Sequence, residues 1–335
     1  MSENFKKIPV TILTGFLGAG KTTFLNHLIS KHKNLKFAII ENEFGDINID
    51  HELIVDVKDG IFELSNGCIC CSLNGELIDT LNTLIQKSDH IDHLIIETTG
   101  IAEPDAVAAA FVSDLEIQSQ FKLNATICIV DACHFLEIIE ERDEARKQLT
   151  FADHIIINKK SVVSESQLSQ LIKITKQINA LASYEVADFG KSNMDILSLN
   201  AYEFNHLVQK LDDNLHVCDV HCTHDHEAHH HSDIVTQSFI FDKAFDVLKF
   251  RHWLNVLLMI QGKHIYRVKG IVDFQFNECR TVIQSVKQMC LFTQGAKWQN
   301  DEQKKSKIVF IGKHLKRAQL FKQLNNCLVQ KNSNQ

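Results

Sequence analysis

Short apolar runs alternate with longer amphipathic stretches through the first 200 residues of the chain. Val10–Thr14, Phe37–Ile40, Leu94–Thr98, Thr126–Val130 and Ile155–Asn158 are rich in Ile and Val and predict buried strands. Between them, Thr22–Lys31, Glu76–Gln86 and Glu165–Leu181 carry helical periodicity. In the first of these, Phe24, Leu25, Leu28 and Ile29 share one face. Strands that alternate with helices predict an α/β fold, a mostly parallel sheet flanked by helices, over residues 1–200.

The pattern breaks over 201–234. His216–Asp233 holds seven histidines and two cysteines, with almost no large apolar side chain after Val220. Such a segment buries too little surface to offset its ordering entropy, so a linker is expected. Periodicity resumes at Thr236. Gln237–Phe241, Ile265–Val272 and Ser306–Ile311 predict strands, and Val247–Met259 and Leu315–Leu328 predict helices. These describe a smaller α+β domain over 235–330, with Lys331–Gln335 as a frayed tail. No internal repeat is present in the sequence.

Composition narrows the functional classes. A chain of 335 residues can support two cores, and 44% hydrophobic with 23% charged residues is ordinary for a globular protein. The net charge of −7 argues against nucleic acid as a partner. No apolar stretch reaches the roughly 20 residues that span a bilayer, so no membrane role is expected. Lys6-Lys7 followed by Ile8–Leu13 mimics a signal peptide only until the run breaks into a glycine-rich loop. Ten cysteines without a secretion signal imply a reducing, cytoplasmic setting. Cys128, Cys133, Cys279, Cys290 and Cys327 are scattered and are given no chemical role.

Gly15-Phe16-Leu17-Gly18-Ala19-Gly20-Lys21-Thr22 follows a predicted strand and opens a predicted helix. That is the context of a phosphate-binding loop. Its glycines let main-chain N–H groups converge on phosphate oxygens, and the helix N-terminus adds its positive dipole end. The candidate nucleotide contacts are Gly15, Gly18, Ala19, Gly20, Lys21, Thr22 and Thr23. Lys21 is expected on the β- and γ-phosphates, and the Thr22 hydroxyl on Mg²⁺. Glu97 ends an apolar strand and is expected to hold the Mg²⁺ shell. Gly100 closes the following Thr98-Thr99-Gly100 turn and can offer its N–H near the γ-phosphate.

A second set of residues carries metal chemistry. Cys68, Cys70 and Cys71 put three thiols into four residues, a soft patch suited to Zn²⁺ or Cu(I). His216, Cys218, His221, Cys222, His224, His226, His229, His230 and His231 form an auxiliary site. Imidazole suits several metals, so the run does not choose among Zn²⁺, Ni²⁺ and Cu²⁺. Its expected effect is to raise the local metal concentration beside the cysteines.

Together these motifs resemble the CobW-type P-loop GTPases, relatives of the urease and hydrogenase maturation GTPases. The resemblance is carried by residues 15–23, by Glu-Asn-Glu-Phe-Gly-Asp (41–46) with Asp50, and by Asn-Gly-Cys-Ile-Cys-Cys (66–71). Glu-Thr-Thr-Gly (97–100) and Val-Phe-Ile-Gly (309–312) complete it. It implies slow GTP hydrolysis and a metallochaperone or metal-insertion role, most often with zinc, with Ni²⁺ or Co²⁺ as other cargoes. Glu41 and Asp46 match family positions and are candidates for the transition-metal shell or the Mg²⁺ region. The implied partner is a metal-dependent client protein, and a homo-oligomer is also open.

One motif departs from the family. Such GTPases read guanine with Asn-Lys-x-Asp, whereas this chain has Asn158-Lys159-Lys160-Ser161. Asn158 and Lys159 keep their expected places around the base. Ser161 offers neither charge nor a bidentate fork, so weakened guanine selectivity is expected. Two functional readings follow: a GTP-driven zinc chaperone, or a passive His-rich metal store with a vestigial nucleotide site. A small-molecule P-loop kinase is a third, without an acceptor motif or an Arg-rich lid segment to support it.

Overall fold

The structure, a computed structural model, describes residues 7–43, 55–58, 61–67, 75–87, 91–202, 234–299 and 301–330. The chain divides into two compact units, residues 1–176 with 182–202, and residues 177–181 with 203–335.

The first unit is built on an eight-stranded sheet. Its strands are β1 (Ile8–Thr14), β2 (Phe37–Glu43), β3 (Val55–Lys58), β4 (Ile61–Gly67), β5 (His93–Glu97), β6 (Phe121–Asp131), β7 (His154–Asn158) and β8 (Ser183–Val186). They lie in the order β3-β4-β2-β5-β1-β6-β7-β8. All neighbours pair in parallel except β3, which runs antiparallel to β4 at one edge. Val10, Ile12, Leu13, Leu94, Ile127 and Ile156 are wholly inaccessible, which is why the central strands read as unbroken apolar runs.

Helices cover this sheet. They are α1 (Lys21–Lys31), α2 (Gly75–Lys87), α3 (Pro104–Ser113), α4 (Leu115–Gln120), α5 (Phe135–Glu141), α6 (Asp143–Phe151) and α7 (Glu165–Ile178). Phe24, Leu25 and Leu28 of α1 pack into the core as their spacing predicts. α3 begins with Pro104, whose fixed φ suits a first helical turn, and is buried at every position from Ala106 to Phe111. α4 is capped by Asp114, whose carboxylate accepts from the N–H groups of Glu116 at 2.8 Å and Ile117 at 3.0 Å. α7 stops at Ile178 rather than Leu181, because the Asn179 side chain takes the Leu181 N–H at 3.1 Å.

The second unit holds a five-stranded antiparallel sheet. Its strands are β9 (Ile234–Phe241), β10 (Ile265–Val272), β11 (Cys279–Val286), β12 (Met289–Lys297) and β13 (Ser306–Lys313), in the order β12-β11-β10-β13-β9. Helices α8 (Val247–Gln261) and α9 (Arg317–Asn326) supply Phe250, Leu254, Leu258, Leu320 and Leu324 to one core with Phe239, Phe245 and Phe310. Edge-to-face contacts at 5.0 Å between Phe245 and Phe250, and at 5.9 Å between Phe239 and Phe310, fix the packing. Arg267-Val268-Lys269-Gly270 lies on β10, the middle strand, and not on a sheet edge. Trp298 follows β12 with the Arg280 guanidinium 4.5 Å above its ring.

Candidate functional site

The C-terminal ends of the parallel strands put the chemistry-bearing residues along one edge. Leu13 of β1 and Glu41 of β2 both stand in register with Glu97 of β5, and Asn158 of β7 with Asp131 of β6. Ligands of open α/β sheets bind beyond this edge, where strands hand over to helices.

The loop between β1 and α1 is shaped by three glycines in left-handed or adjacent conformations. Gly15, Gly18 and Gly20 have φ of 141°, 77° and 100°. A Cβ at Gly15 would lie 2.3 Å from the Ile129 carbonyl oxygen, so the loop seats directly on β6. Gly20 is the N-cap of α1 and no side chain caps that end, which leaves the first-turn N–H groups directed at the loop. Lys21 is buried, and its ammonium donates to the Gly15 carbonyl at 2.9 Å. Burial lowers its pKa, while Glu97 and Cys128 push the other way.

Glu97 meets the loop through Thr22. The Thr22 hydroxyl donates to Glu97 Oε1 at 3.3 Å, so two hard oxygen donors adjoin at the start of α1. They fit Mg²⁺, whose usual protein ligands are one or two such oxygens beside substrate phosphates. The following turn is bound to the same loop. Thr98 donates its N–H to the Leu13 carbonyl at 2.9 Å and its hydroxyl to Thr14 Oγ1 at 3.0 Å. At Gly100 an added Cβ would come 2.6 Å from the Leu17 nitrogen, so only glycine permits this approach. Gln148 of α6 then holds the carbonyls of Gly100 at 3.0 Å and Ala102 at 3.1 Å.

On the other side of the loop, Asn158 and Lys159 act as clamps. Asn158 Nδ2 donates to the Ala19 carbonyl at 3.0 Å, and its Oδ1 accepts the Gly190 N–H at 3.0 Å. Lys159, at φ 65°, donates to the Gly18 carbonyl and to Asp131 Oδ2, each at 2.8 Å. Burial alone would raise the Asp131 pKa. Hydrogen bonds from Lys159, the Cys133 N–H and His134 together hold it below the usual carboxylate value.

Asp131 therefore belongs to the site, although the sequence did not single it out. Among the described residues, Asp131, Cys133 and His134 also form a group of possible metal donors within 4.8 Å of one another. The Asp131 carboxylate already serves the Lys159 ammonium at 2.8 Å, which makes it an anchor for that lysine. Of the scattered cysteines, Cys128, Cys279 and Cys327 are buried in the cores, and Cys290 packs against one. Burial pushes the Cys128 and Cys290 thiols up to about 12 and the Cys327 thiol to about 11, leaving them neutral.

The structure thus brings together Gly15, Gly18, Ala19, Gly20, Lys21, Thr22, Glu97, Gly100, Asn158 and Lys159. Thr23 lies in the first turn of α1. Glu41 is placed by its main chain on β2. Cys68, Cys70, Cys71 and Asp46 lie outside the described residues, as do His216, Cys218, His221, Cys222, His224, His226, His229, His230 and His231. Among the described residues, no helix is long and apolar enough to cross a membrane.

Residues 9–185 match the family model of the CobW/HypB/UreG nucleotide-binding domain, and residues 234–328 that of the cobalamin synthesis protein CobW C-terminal domain. The chain belongs to the CobW family. Among the CobW relatives, the zinc chaperone YjiA of Escherichia coli is 32% identical over 310 residues, covering 91% of this chain and 94% of that one. The zinc-regulated GTPase metalloprotein activator 1 of Schizosaccharomyces pombe is 32% identical over 296 residues, covering 79% and 72%. The crystal structure of the zinc-bound YjiA GTPase from E. coli superposes with a TM-score of 0.73 at 27% identity, covering 97% of this chain and all of that one. The CobW framework accounts for the parallel-sheet P-loop unit and the small antiparallel unit alike.

Proposed function

We propose that this chain is a GTPase zinc metallochaperone. It holds zinc at Cys68, Cys70 and Cys71, with Glu41 and Asp46 as further candidate donors, and hands it to a client protein under nucleotide control. One structural observation carries the reading. β4 ends at Gly67, the residue before Cys68, and Gly67 pairs with Glu43 of β2. Two residues back on β2, Glu41 pairs with Glu97, the acid that receives the Thr22 hydroxyl. β4 thus ends at the edge that carries the phosphate loop, three strand spacings or about 14 Å from β1, and Cys68 is the next residue in sequence. Relatives named as zinc chaperones and as zinc-regulated GTPases support the cargo and the nucleotide.

The residues present divide the work. Main-chain N–H groups from Gly15 to Thr22 receive the phosphates, and Lys21 exchanges the Gly15 carbonyl for phosphate oxygen. Thr22 and Glu97 would hold Mg²⁺, which when bound neutralises charge on the phosphates. Gly100 lies against Leu17 of the loop, and Gln148 fixes its carbonyl, so the Gly100 N–H is held to sense the γ-phosphate end. Asn158 and Lys159 tie the base side to the same loop. Nucleotide-dependent movement at Glu97 is transmitted to β2 through the strand pairing, and so to the segments that follow β2 and β4.

Linkage makes the coupling reciprocal. If GTP changes zinc affinity by some factor, zinc changes GTP affinity by the same factor. The role of the cysteines is tested by zinc stoichiometry and affinity of the full chain, of Cys70→Ala/Cys71→Ala, and of a chain lacking 216–231. A chaperone of this design loses its tight zinc in the cysteine variant. A passive store loses most of its zinc when 216–231 is deleted, and that result would overturn the reading.

A further inference from the structure

We propose that Asp188 supplies the carboxylate that reads guanine in this chain, in the place left by Ser161; the assignment rests on the GTPase reading above. The first residues of the loop after β8 are hydrogen-bonded to the end of β7 and the loop that follows it. The Ala187 N–H donates to the Ile157 carbonyl at 2.8 Å, and the Lys160 N–H to the Ala187 carbonyl at 3.3 Å. Next, the Ser161 N–H donates to Asp188 Oδ1 at 3.0 Å. Finally, the Gly190 N–H reaches the Asn158 side chain, which itself holds the phosphate loop at Ala19. Asp188 thus brings an acidic side chain to the main chain of residue 161, the position at which the motif otherwise carries its own.

The backbone around Asp188 is held in a costly shape. Phe189 and Gly190 adopt φ of 53° and 67° in succession, and Lys159 opposite adopts 65°. A Cβ at Gly190 would lie 2.6 Å from the Phe24 Cα, so the turn is seated on α1 and cannot drift. Non-glycine residues in this region persist where surrounding contacts over-determine them, and they cluster at binding sites. Phe189, next to the carboxylate, leaves 71% of its surface exposed, an aromatic face beside an acceptor.

The chemistry distinguishes guanine from its analogues. An aspartate accepts from the guanine N1–H and exocyclic amine together, and the charge strengthens both bonds. Xanthine carries a carbonyl where guanine has the amine, so a carboxylate repels it and an amide side chain donates to it. Adenine lacks the N1–H altogether. The competing account is that Asp188 only caps the short 3₁₀ turn over Lys160–Val162, since it accepts the Ser161 N–H. A cap affects every nucleotide equally; a base reader does not.

The test is the affinity of the full chain for GTP, XTP and ATP, each with Mg²⁺, in wild type, Asp188→Asn, Asp188→Ser and Asp188→Asn/Ser161→Asp. Asp188→Ser keeps a capping oxygen and removes the charge. The expected result is a wild-type preference for GTP that Asp188→Asn lowers by ten- to a hundredfold, with XTP binding raised. Asp188→Ser lowers GTP affinity without raising XTP, and Ser161→Asp added to Asp188→Asn restores GTP. A GTP-to-XTP ratio unchanged in both single variants, or an equal loss for all three nucleotides, overturns the assignment to Asp188. A wild type that binds GTP no more tightly than XTP and ATP also overturns the assignment to Asp188, whereas one that binds no GTP overturns the GTPase reading itself.

Discussion

Glu41 and Glu97 stand directly opposite each other across the paired strands β2 and β5. Glu97 also accepts the Thr22 hydroxyl at 3.3 Å, so one residue joins the phosphate loop to the strand that leads toward the proposed zinc segment. Glu97→Gln keeps the shape and removes the charge. Charged hydrogen bonds and ion contacts of this kind contribute about 1.5–3 kcal/mol, so GTP turnover should fall about ten- to a hundredfold. The Mg²⁺ concentration for half-maximal activity should rise in the same variant, as read from a magnesium titration of the hydrolysis rate.

Gly100 admits no side chain. A Cβ there meets the Leu17 nitrogen at 2.6 Å and the Leu17 Cγ at 2.5 Å. Gly100→Ala should lower stability by about 1–3 kcal/mol and weaken GTP binding, measured by chemical denaturation and nucleotide titration. Because the nearest backbone atom belongs to Leu17 itself, Leu17→Ala in the same chain should not restore the affinity. Recovery would show that only side chains collide.

The Asp131–Lys159 pair, 2.8 Å apart, sets where Lys159 reaches the loop. Asp131→Asn should free that ammonium from its anchor and lower GTP affinity about tenfold. The wild-type anchor persists well into acid. A carboxylate whose folded pKa is depressed stabilises the fold above the unfolded value near ~3.9, and loses that contribution as pH falls through the lower folded value. Stability of Asp131→Asn relative to wild type should therefore be unchanged between pH 7 and pH 5.

His93 acts at higher pH. Burial, with the charges of His32 and Lys122, lowers its pKa to about 4, and its ring bonds Thr11 Oγ1 at 2.8 Å between β1 and β5. The unfolded chain takes up this proton near pH ~6.5 and the folded chain only near pH 4, so stability falls as pH drops through that window. Urea unfolding at pH 7.5 and pH 5 should show the loss, and His93→Gln should lessen it by about 2 kcal/mol.

Much of the first unit was readable because its signals are contiguous. The phosphate loop, its flanking strand and its helix lie within residues 8–31, and the structure closes them locally around Lys21 and Gly15. Within 104–151 only the strand at Thr126–Val130 was read and the helices were missed; for α3 the reason is physical, since it is buried from Ala106 to Phe111 and no polar face marks its period. β4, with Ser65 and Asn66 near its end, and the β11–β12 hairpin, with Thr281, Gln284 and Ser285 buried in β11, carry too many polar positions to read as apolar strands.

The site itself was half legible. Lys21, Thr22, Glu97, Asn158 and Lys159 could be named from their motifs, but Asp131 and Asp188 could not. Asp131 precedes Lys159 by 28 residues and Asp188 follows Ser161 by 27, so each meets its partner only through the sheet. Ser161 alone predicts weakened guanine recognition; Ser161 together with Asp188 predicts that recognition is kept.

The proposed coupling between nucleotide and zinc is tested most directly by zinc affinity of the full chain, measured by competition with a chelating dye. Titrations would be run in Mg²⁺ with and without a nonhydrolysable GTP analogue. The account predicts that the analogue shifts zinc affinity by at least fivefold, the lower range of allosteric coupling. It further predicts that Lys21→Ala abolishes the shift and that zinc shifts analogue affinity by the same factor. Equal zinc affinity with and without the analogue would contradict it.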